Sequence, residues 1–256
     1  MSDQLISSAP GDLRVGRVVN RSFTLLLGDF PKFFAATLVI WLPYALLLWF
    51  LEPALDDFAQ NPQRMTLQAA LTLLEYELAI LALILLLAAL SPAVILYGAF
   101  QRMRGRSFGV AEAFARGLSR FLPILGMMVL LLLAVLGAGL LLIFPAFIIL
   151  TMWYVALPAI IVERLGPLES LRRSSFLTRG HRWKIFGIWM LILIVESIVQ
   201  YVLQRLLGAG IVGAFGDFLW LVLTEAYQAV VVAVLYYDLR VAKEGIDIDR
   251  ITAVFE

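Results

Sequence analysis

The chain has 256 residues, 62% of them hydrophobic and 15% charged, with one histidine, no cysteine and a formal net charge of +1. Water-soluble domains are about 45–50% apolar and about 25% charged, so this chain has too little polar surface to cover a globule in water. Without cysteine there are no disulfides, thiolate metal sites or cysteine nucleophiles, and a single histidine excludes multi-histidine metal centres.

The first 32 residues carry Asp3, Asp12, Arg14, Arg17, Arg21 and Asp29 without a continuous apolar stretch. No cleavable signal is therefore expected, and the first span is expected to serve as its own insertion signal. Within this segment Val15, Val18, Val19, Ser22 and Leu26 share one helical face, opposite Arg14, Arg17, Arg21 and Thr24. That pattern predicts a basic interfacial helix. Crossing a hydrocarbon core takes roughly 20 apolar helical residues, because the bilayer offers no partner for unpaired backbone groups. Phe33 to Leu51 meets that length, as does Leu78 to Phe100, which Ser91-Pro92 is expected to interrupt and Glu75 and Glu77 precede.

Val110, Ala113, Phe114, Gly117, Leu118 and Phe121 then mark a second amphipathic helix, on which Glu112 can pair with Arg116. No charge occurs from Phe121 to Val162. A straight helix of that length would measure about 63 Å, so the run must fold back, and Gly139 to Pro145 is the predicted turn. Gly166-Pro167 opens a third short helix, where Glu169 can pair with Arg172 or Arg173 and the expected apolar face is Leu168 and Leu171 with Ser175. Ile185 to Leu207 and Phe218 to Leu239, joined by the glycine-rich segment 208–216, complete six spans.

The expected fold is an all-α, polytopic integral membrane protein with six transmembrane helices and three amphipathic helices on the cytoplasmic side. A short helix before each pair of spans suggests a threefold repeat of amphipathic helix plus hairpin. All 256 residues form one membrane domain: a tail and amphipathic helix over 1–30, the bundle over 31–245 and a tail over 246–256. Basic residues test the count. In a six-span topology 18 of the 20 lysines and arginines fall on one side, leaving Arg64 and Arg205 on the other. Basic residues are retained in cytoplasmic segments, so both termini are expected there. Arg14, Arg17, Arg21, Arg172 and Arg173 are the candidate contacts for anionic lipid headgroups, with plain anchoring of the bundle as the alternative. No separate basic domain suggests nucleic acid as a partner.

Ionisable groups at membrane depth are functional candidates by default. In span five Glu196, Gln200 and Gln204 recur every four residues along about 12 Å; span six supplies Thr224, Glu225 and Gln228. A hairpin reversing near Val212 would set Glu196 level with Gln228 and Gln200 level with Thr224 and Glu225, with Arg205 in reach of Glu225 or Asp217. Two readings follow: a polar cavity that passes a small solute or proton, or hydrogen-bonded glue worth about 0.6–2 kcal/mol per contact. Catalytic chemistry has less to build on. Ser174, Ser175 and His181 lie on or beside a surface helix, Asp247 and Asp249 sit in the terminal tail, and no phosphate loop, dinucleotide fingerprint or zinc motif occurs. No enzyme activity, cofactor or metal is expected.

Two segments carry a family resemblance. Ala159-Ile-Ile-Val-Glu163, the following Gly-Pro-Leu-Glu-Ser-Leu-Arg-Arg-Ser-Ser-Phe-Leu-Thr-Arg-Gly180 and Trp183-Lys-Ile-Phe-Gly187 resemble the central signature of the glycerophosphoryl diester phosphodiesterase membrane-domain family. Leu235-Tyr-Tyr-Asp-Leu-Arg-Val-Ala-Lys-Glu-Gly245-Ile-Asp-Ile-Asp249 is similar to that family's ending. The resemblance implies a six-helix module of the bacterial inner membrane, sometimes fused to a phosphodiesterase barrel and often standing alone. The chain ends within about a dozen residues of its last predicted helix, so a stand-alone module without the barrel is expected. The motif residues Glu163, Glu169, Asp238, Arg240, Glu244 and Gly245 also have local explanations. Arg240 and Glu244 are spaced for an i, i+4 pair, Gly245 for a left-handed helix cap, and Asp238 is expected to accept Arg172 or Arg173 and dock the third short helix. The expected function is that of a non-catalytic accessory or membrane-organising module that contacts anionic lipid and either a protein partner or a second copy; the competing class is a small transporter or permease.

Overall fold

The computed structural model describes residues 13–60, 66–141, 143–208 and 210–245. Asp3, Asp12, Arg64, Asp247, Asp249, Arg250 and the 246–256 tail lie outside the described residues. Within them the chain is helical: α1 (Val15–Gly28), α2 (Phe30–Gln60), α3 (Leu67–Met103), α4 (Val110–Leu118), α5 (Phe121–Leu141), α6 (Ile143–Met152), α7 (Ala156–Val162), α8 (Pro167–Thr178), α9 (Arg182–Leu207) and α10 (Ile211–Glu244). Six stretches are long and apolar enough to cross a membrane: Phe30–Leu51, Leu67–Met103, Phe121–Gly139, Pro145–Val162, Arg182–Leu207 and Ile211–Glu244. Large apolar side chains also cover their outer surfaces, with Phe50, Leu122 and Leu206 exposed by 76%, 78% and 76%. Such a surface would drive aggregation in water and is stable against hydrocarbon.

Ser91-Pro92 does not interrupt the second span. A proline inside a helix removes a hydrogen bond and costs about 3 kcal/mol or more, yet α3 continues through it because Ser91, Ala93 and Val94 are all buried against other helices. The long uncharged run does fold back. α5 ends at Leu141 and α6 starts at Ile143, inside the predicted turn. A Cβ built on Gly126 in α5 would stand 3.4 Å from the Pro167 ring, so the chain leaving the run has returned beside its start. A second break, between α6 and α7 at residues 153–155, has no counterpart in the expectations. Pro158 accounts for it: its ring crowds the carbonyl of residue 154, and it has no N–H to donate.

α10 is the central helix and packs against α1, α2, α3, α7, α8 and α9. Ion pairs show which ends meet. Arg102 near the end of α3 lies 3.2 Å from Asp29 at the α1–α2 junction. Arg21 of α1 lies 2.9 Å from Asp238 near the end of α10, and Arg173 of α8 lies 2.8 Å from Glu163, the residue after α7. Gly117 of α4 sits so close to α3 that an added Cβ would stand 2.9 Å from Val94 Cγ2. The three short helices α1, α4 and α8 therefore gather where α3, α7 and α10 end, which is the basic end of the bundle. Burial concentrates there too, over Leu87–Phe100 of α3 and Val222–Arg240 of α10.

Candidate functional site

The polar stripes of α9 and α10 do meet. Gln228 Nε2 donates to Glu196 Oε1 at 2.8 Å, the pair expected from antiparallel register. Gln200 departs from expectation and donates to Asp217 Oδ1 at 2.7 Å. α9 ends at Leu207 and α10 starts at Ile211, so the hairpin reverses before Val212 and Asp217 stands level with Gln200. The Glu196–Gln228 pair reaches further along α10 than that register alone would bring it. Thr224 donates back to the carbonyls of Trp220 and Leu221 on its own helix, and Glu225 is half-buried. Gln204 and Arg205 are exposed. Arg205 donates to Tyr201 Oη at 3.2 Å, with its guanidinium 5.2 Å from that ring, and not to Glu225 or Asp217. Tyr201 is one turn away on the same helix, while Asp217 is taken by Gln200. A cavity of about 340 Å³ reaches Glu196 from the side, walled by Val19 and Phe23 of α1, Leu191 and Val195 of α9 and Tyr227 of α10. Its wall is apolar except at Glu196, Thr224 and Tyr227.

The basic helix α1 buries Val18, Ser22 and Leu26 against the bundle, with Ser22 closing its hydroxyl on the Val18 carbonyl at 2.7 Å. Arg21 turns inward as well, pairing with Asp238 and lying 4.6 Å from the Tyr237 ring. This corrects the expected pairing of Asp238 with Arg172 or Arg173. Asp238 and Glu244 are six residues apart, hence about 120° apart around α10, so α1 docks on one face and α8 on another. Of the five headgroup candidates, Arg21 and Arg173 are engaged inside the protein, Arg14 and Arg172 are exposed, and Arg17 is half-exposed.

Three of the motif residues, Glu163, Arg240 and Glu244, converge with Arg173 on one cluster. Glu163 accepts Arg173 and the Tyr236 hydroxyl, the latter at 2.6 Å. Glu244 accepts Arg173 and, at 2.9 Å, Arg240 Nε, which stands 4.0 Å from Glu163. Two carboxylates and two guanidiniums thus form a closed, neutral ring that ties α7, α8 and α10 together. Burial opposes the charged form of Arg173, but the hydrogen bonds and charges of Glu163 and Glu244 outweigh it and raise its pKa above the ordinary arginine value. Gly245 ends α10 in the left-handed region at φ 61°. Glu169 accepts the Gly166 N–H at 3.1 Å and so caps α8, where a pair with Arg172 or Arg173 was expected.

α8 corrects its predicted face in part. Leu171 is buried as expected, but Leu168 is 60% exposed and Ser175 half-buried, and Leu177 with the hydroxyl residues Ser170, Ser174 and Thr178 is fully buried. Ser174 donates to the Met152 carbonyl at 2.9 Å and accepts the Val155 N–H at 3.2 Å; Thr178 Oγ1 lies 3.1 Å from the same carbonyl. Ser175 accepts Trp153 Nε1 at 3.1 Å. These hydroxyls satisfy the backbone freed by the α6–α7 break, which the apolar core of a membrane cannot do. The readable signal was hydroxyls at i, i+4 and i+8. Ser174 and Ser175 are thereby committed to structure, and His181 opens the turn into α9. Among the described residues no group of three or more histidines and carboxylates is placed to hold a metal ion. Comparison with known protein families, with curated proteins and with solved structures returns no match in any of the three.

Proposed function

We propose that this protein is a non-catalytic multi-pass membrane module that engages anionic lipid headgroups at its basic end, as an accessory or membrane-organising component. The reading is carried by one observation: α1, α4 and α8 collect at the end of the bundle where Arg14 and Arg172 are exposed and Arg17 is half-exposed. Each such cation adds roughly 1 kcal/mol of attraction to an anionic leaflet. The order of one short helix and two spans recurs as α1 to α3, α4 to α7 and α8 to α10, which supports the threefold repeat and a shared membrane face for the short helices. Retention of basic residues inside makes that face cytoplasmic, together with both termini. The family resemblance supports the bacterial inner membrane and a protein partner or second copy as a further ligand.

The test is the lipid composition around the protein in polymer nanodiscs cut from a mixed phosphatidylglycerol and phosphatidylethanolamine bilayer. Phosphatidylglycerol should be enriched over the bulk, and the excess should fall about twofold or more when Arg14, Arg17 and Arg172 are all changed to Gln. Bulk composition around the native protein would refute the reading. The cavity reaching Glu196 favours a second one, a small transporter or permease using the α9–α10 stripe; the pairing of Glu196 with Gln228 and the apolar wall favour packing. Proton flux into dye-loaded proteoliposomes that disappears in Glu196→Gln at unchanged thermal stability would place transport first.

A further inference from the structure

A second cavity, of about 250 Å³, lies at the basic end between α3, α4 and the turn after α7. Tyr97 and Ile161 line its inner side, and Arg116, Ser119, Arg120 and Arg164 complete it. The guanidiniums come from two distant parts of the chain, one pair from the α4–α5 junction and one from the residue after Glu163. Elsewhere at this end arginines meet acids: Arg21 has Asp238, Arg102 has Asp29, and Arg173 and Arg240 share Glu163 and Glu244. Among the described residues, no carboxylate lies within ion-pair distance of Arg116, Arg120 or Arg164. Glu112, the nearest acid along α4, is held by the Tyr97 hydroxyl at 2.5 Å, and the Ser119 hydroxyl closes on the Arg116 carbonyl at 2.7 Å. Three arginines thus line the cavity against one nearby carboxylate, Glu112, which the cavity-lining Tyr97 hydroxyl holds, so cationic charge is in excess there.

Backbone geometry gives an independent indication. Arg164 is the one non-glycine residue among those described with a positive φ, 55°. Left-handed backbone is unfavourable for a side chain with a Cβ, and glycine or asparagine would hold the turn with less strain. What arginine adds at this position is a cationic side chain on a residue that lines the cavity together with Arg116 and Arg120.

The geometry points to a phosphate-binding site formed by Arg116, Arg120 and Arg164. Guanidinium forks match phosphate oxygens in pairs, and a phosphate dianion offsets most of the uncompensated charge. A lipid headgroup and a free phosphate share this chemistry. Leu118 and Leu122, on either side of Ser119 and Arg120, are 63% and 78% exposed, which suits a phosphate carried by a lipid whose chains lie alongside. The lipid source rests on the function proposed above; the phosphate site does not.

Two measurements on the full chain in uncharged detergent test it. Native mass spectrometry reads retention of phosphatidic acid against phosphatidylcholine, and thermal melting reads inorganic phosphate against chloride at equal ionic strength. The native protein should keep one phosphatidic acid under conditions that strip phosphatidylcholine. Arg120→Gln and Arg164→Gly should lower that retention about tenfold, while Arg14→Gln with Arg17→Gln leaves it unchanged. Arg164→Gly relaxes the left-handed backbone as it removes the guanidinium, so its loss of binding is not a loss of fold. If inorganic phosphate alone raises the native melting temperature, and Arg164→Gly abolishes the rise, the site stands with free phosphate as its ligand. Equal retention by native protein and Arg164→Gly, or no response of the native protein to either probe, overturns the site. Nanodisc enrichment of phosphatidylglycerol that survives Arg164→Gly, with phosphatidic acid retention equally unaffected, overturns the pocket and leaves the broader lipid reading intact. Bulk nanodisc composition with selective phosphatidic acid retention does the reverse.

Discussion

Ser174 does for the α6–α7 break what water does for a broken helix at a protein surface. The break lies within the stretch Pro145–Val162, so its freed backbone groups have no solvent partner: the Val155 N–H depends on the Ser174 hydroxyl, and the Met152 carbonyl accepts from Ser174 and Thr178. Ser174→Ala should therefore cost about 1–3 kcal/mol, the penalty for leaving a buried backbone donor unpaired. Ser175→Ala, which releases only the half-buried Trp153 indole, should cost less. Denaturant unfolding in mixed micelles measures both; a Ser175→Ala loss equal to or larger than that of Ser174→Ala would contradict the assignment. Arg164 poses the opposite case at this scale, a residue ill suited to its backbone and retained for its side chain.

Between helices, α10 divides its faces by charge. Asp238 receives α1 through Arg21, whereas Glu244, farther along and turned around the axis, receives α8 through Arg173. Asp238→Arg should undock α1 at a cost of about 1.5–3 kcal/mol, the value of a hydrogen bond to a charged group. Adding Arg21→Asp should recover a large part of the lost thermal stability, and adding Arg173→Asp should recover none. Rescue by Arg173→Asp in place of Arg21→Asp would return α8 to Asp238 and refute the arrangement. α1 buries Val18 and Leu26 with one hydroxyl residue, Ser22, whereas α8 buries three, Ser170, Ser174 and Thr178, beside Leu171 and Leu177. Hydrophobic spacing finds the apolar contacts and passes over the hydroxyls.

Across the molecule, packing is uneven. The half at the basic end contains the buried segments of α3 and α10, whereas Leu67, Leu71 and Leu74 of α3 and Ile211, Val212 and Phe215 of α10 are exposed. Protein contacts hold one end and lipid solvates more of the other. A chain without cysteine is suited to testing which end faces the cytoplasm, since each introduced thiol is the only one present. Ser107→Cys lies in the exposed turn between α3 and α4, and Thr66→Cys lies at the opposite end of α3, about 55 Å away along the axis. A membrane-impermeant maleimide applied to intact cells should label Thr66→Cys and reach Ser107→Cys only after permeabilisation. The reverse pattern would invert the orientation, and labelling of both from outside would break the alternation of spans.

Length and apolarity determined the span count and the need for the long uncharged run to reverse, because preference for hydrocarbon belongs to each residue and adds along a helix; glycine and proline placed the reversal near Gly139 to Pro145, and the positions of lysine and arginine gave the segregation of charge. Spacing within one or two turns likewise determined the Arg240–Glu244 pair and the Gly245 cap, and the polar stripes on the two arms of one hairpin pointed to Glu196–Gln228. The partner of Asp238, the hydroxyls that repair the α6–α7 break, the ring joining Glu163, Arg173, Arg240 and Glu244, and the meeting of Arg116, Arg120 and Arg164 were decided only by the tertiary structure. Each joins residues from different helices, and which side chains face one another there depends on how far each helix is rotated and displaced against its neighbours. Packing of the whole bundle sets those two quantities, and no local pattern along the chain encodes them.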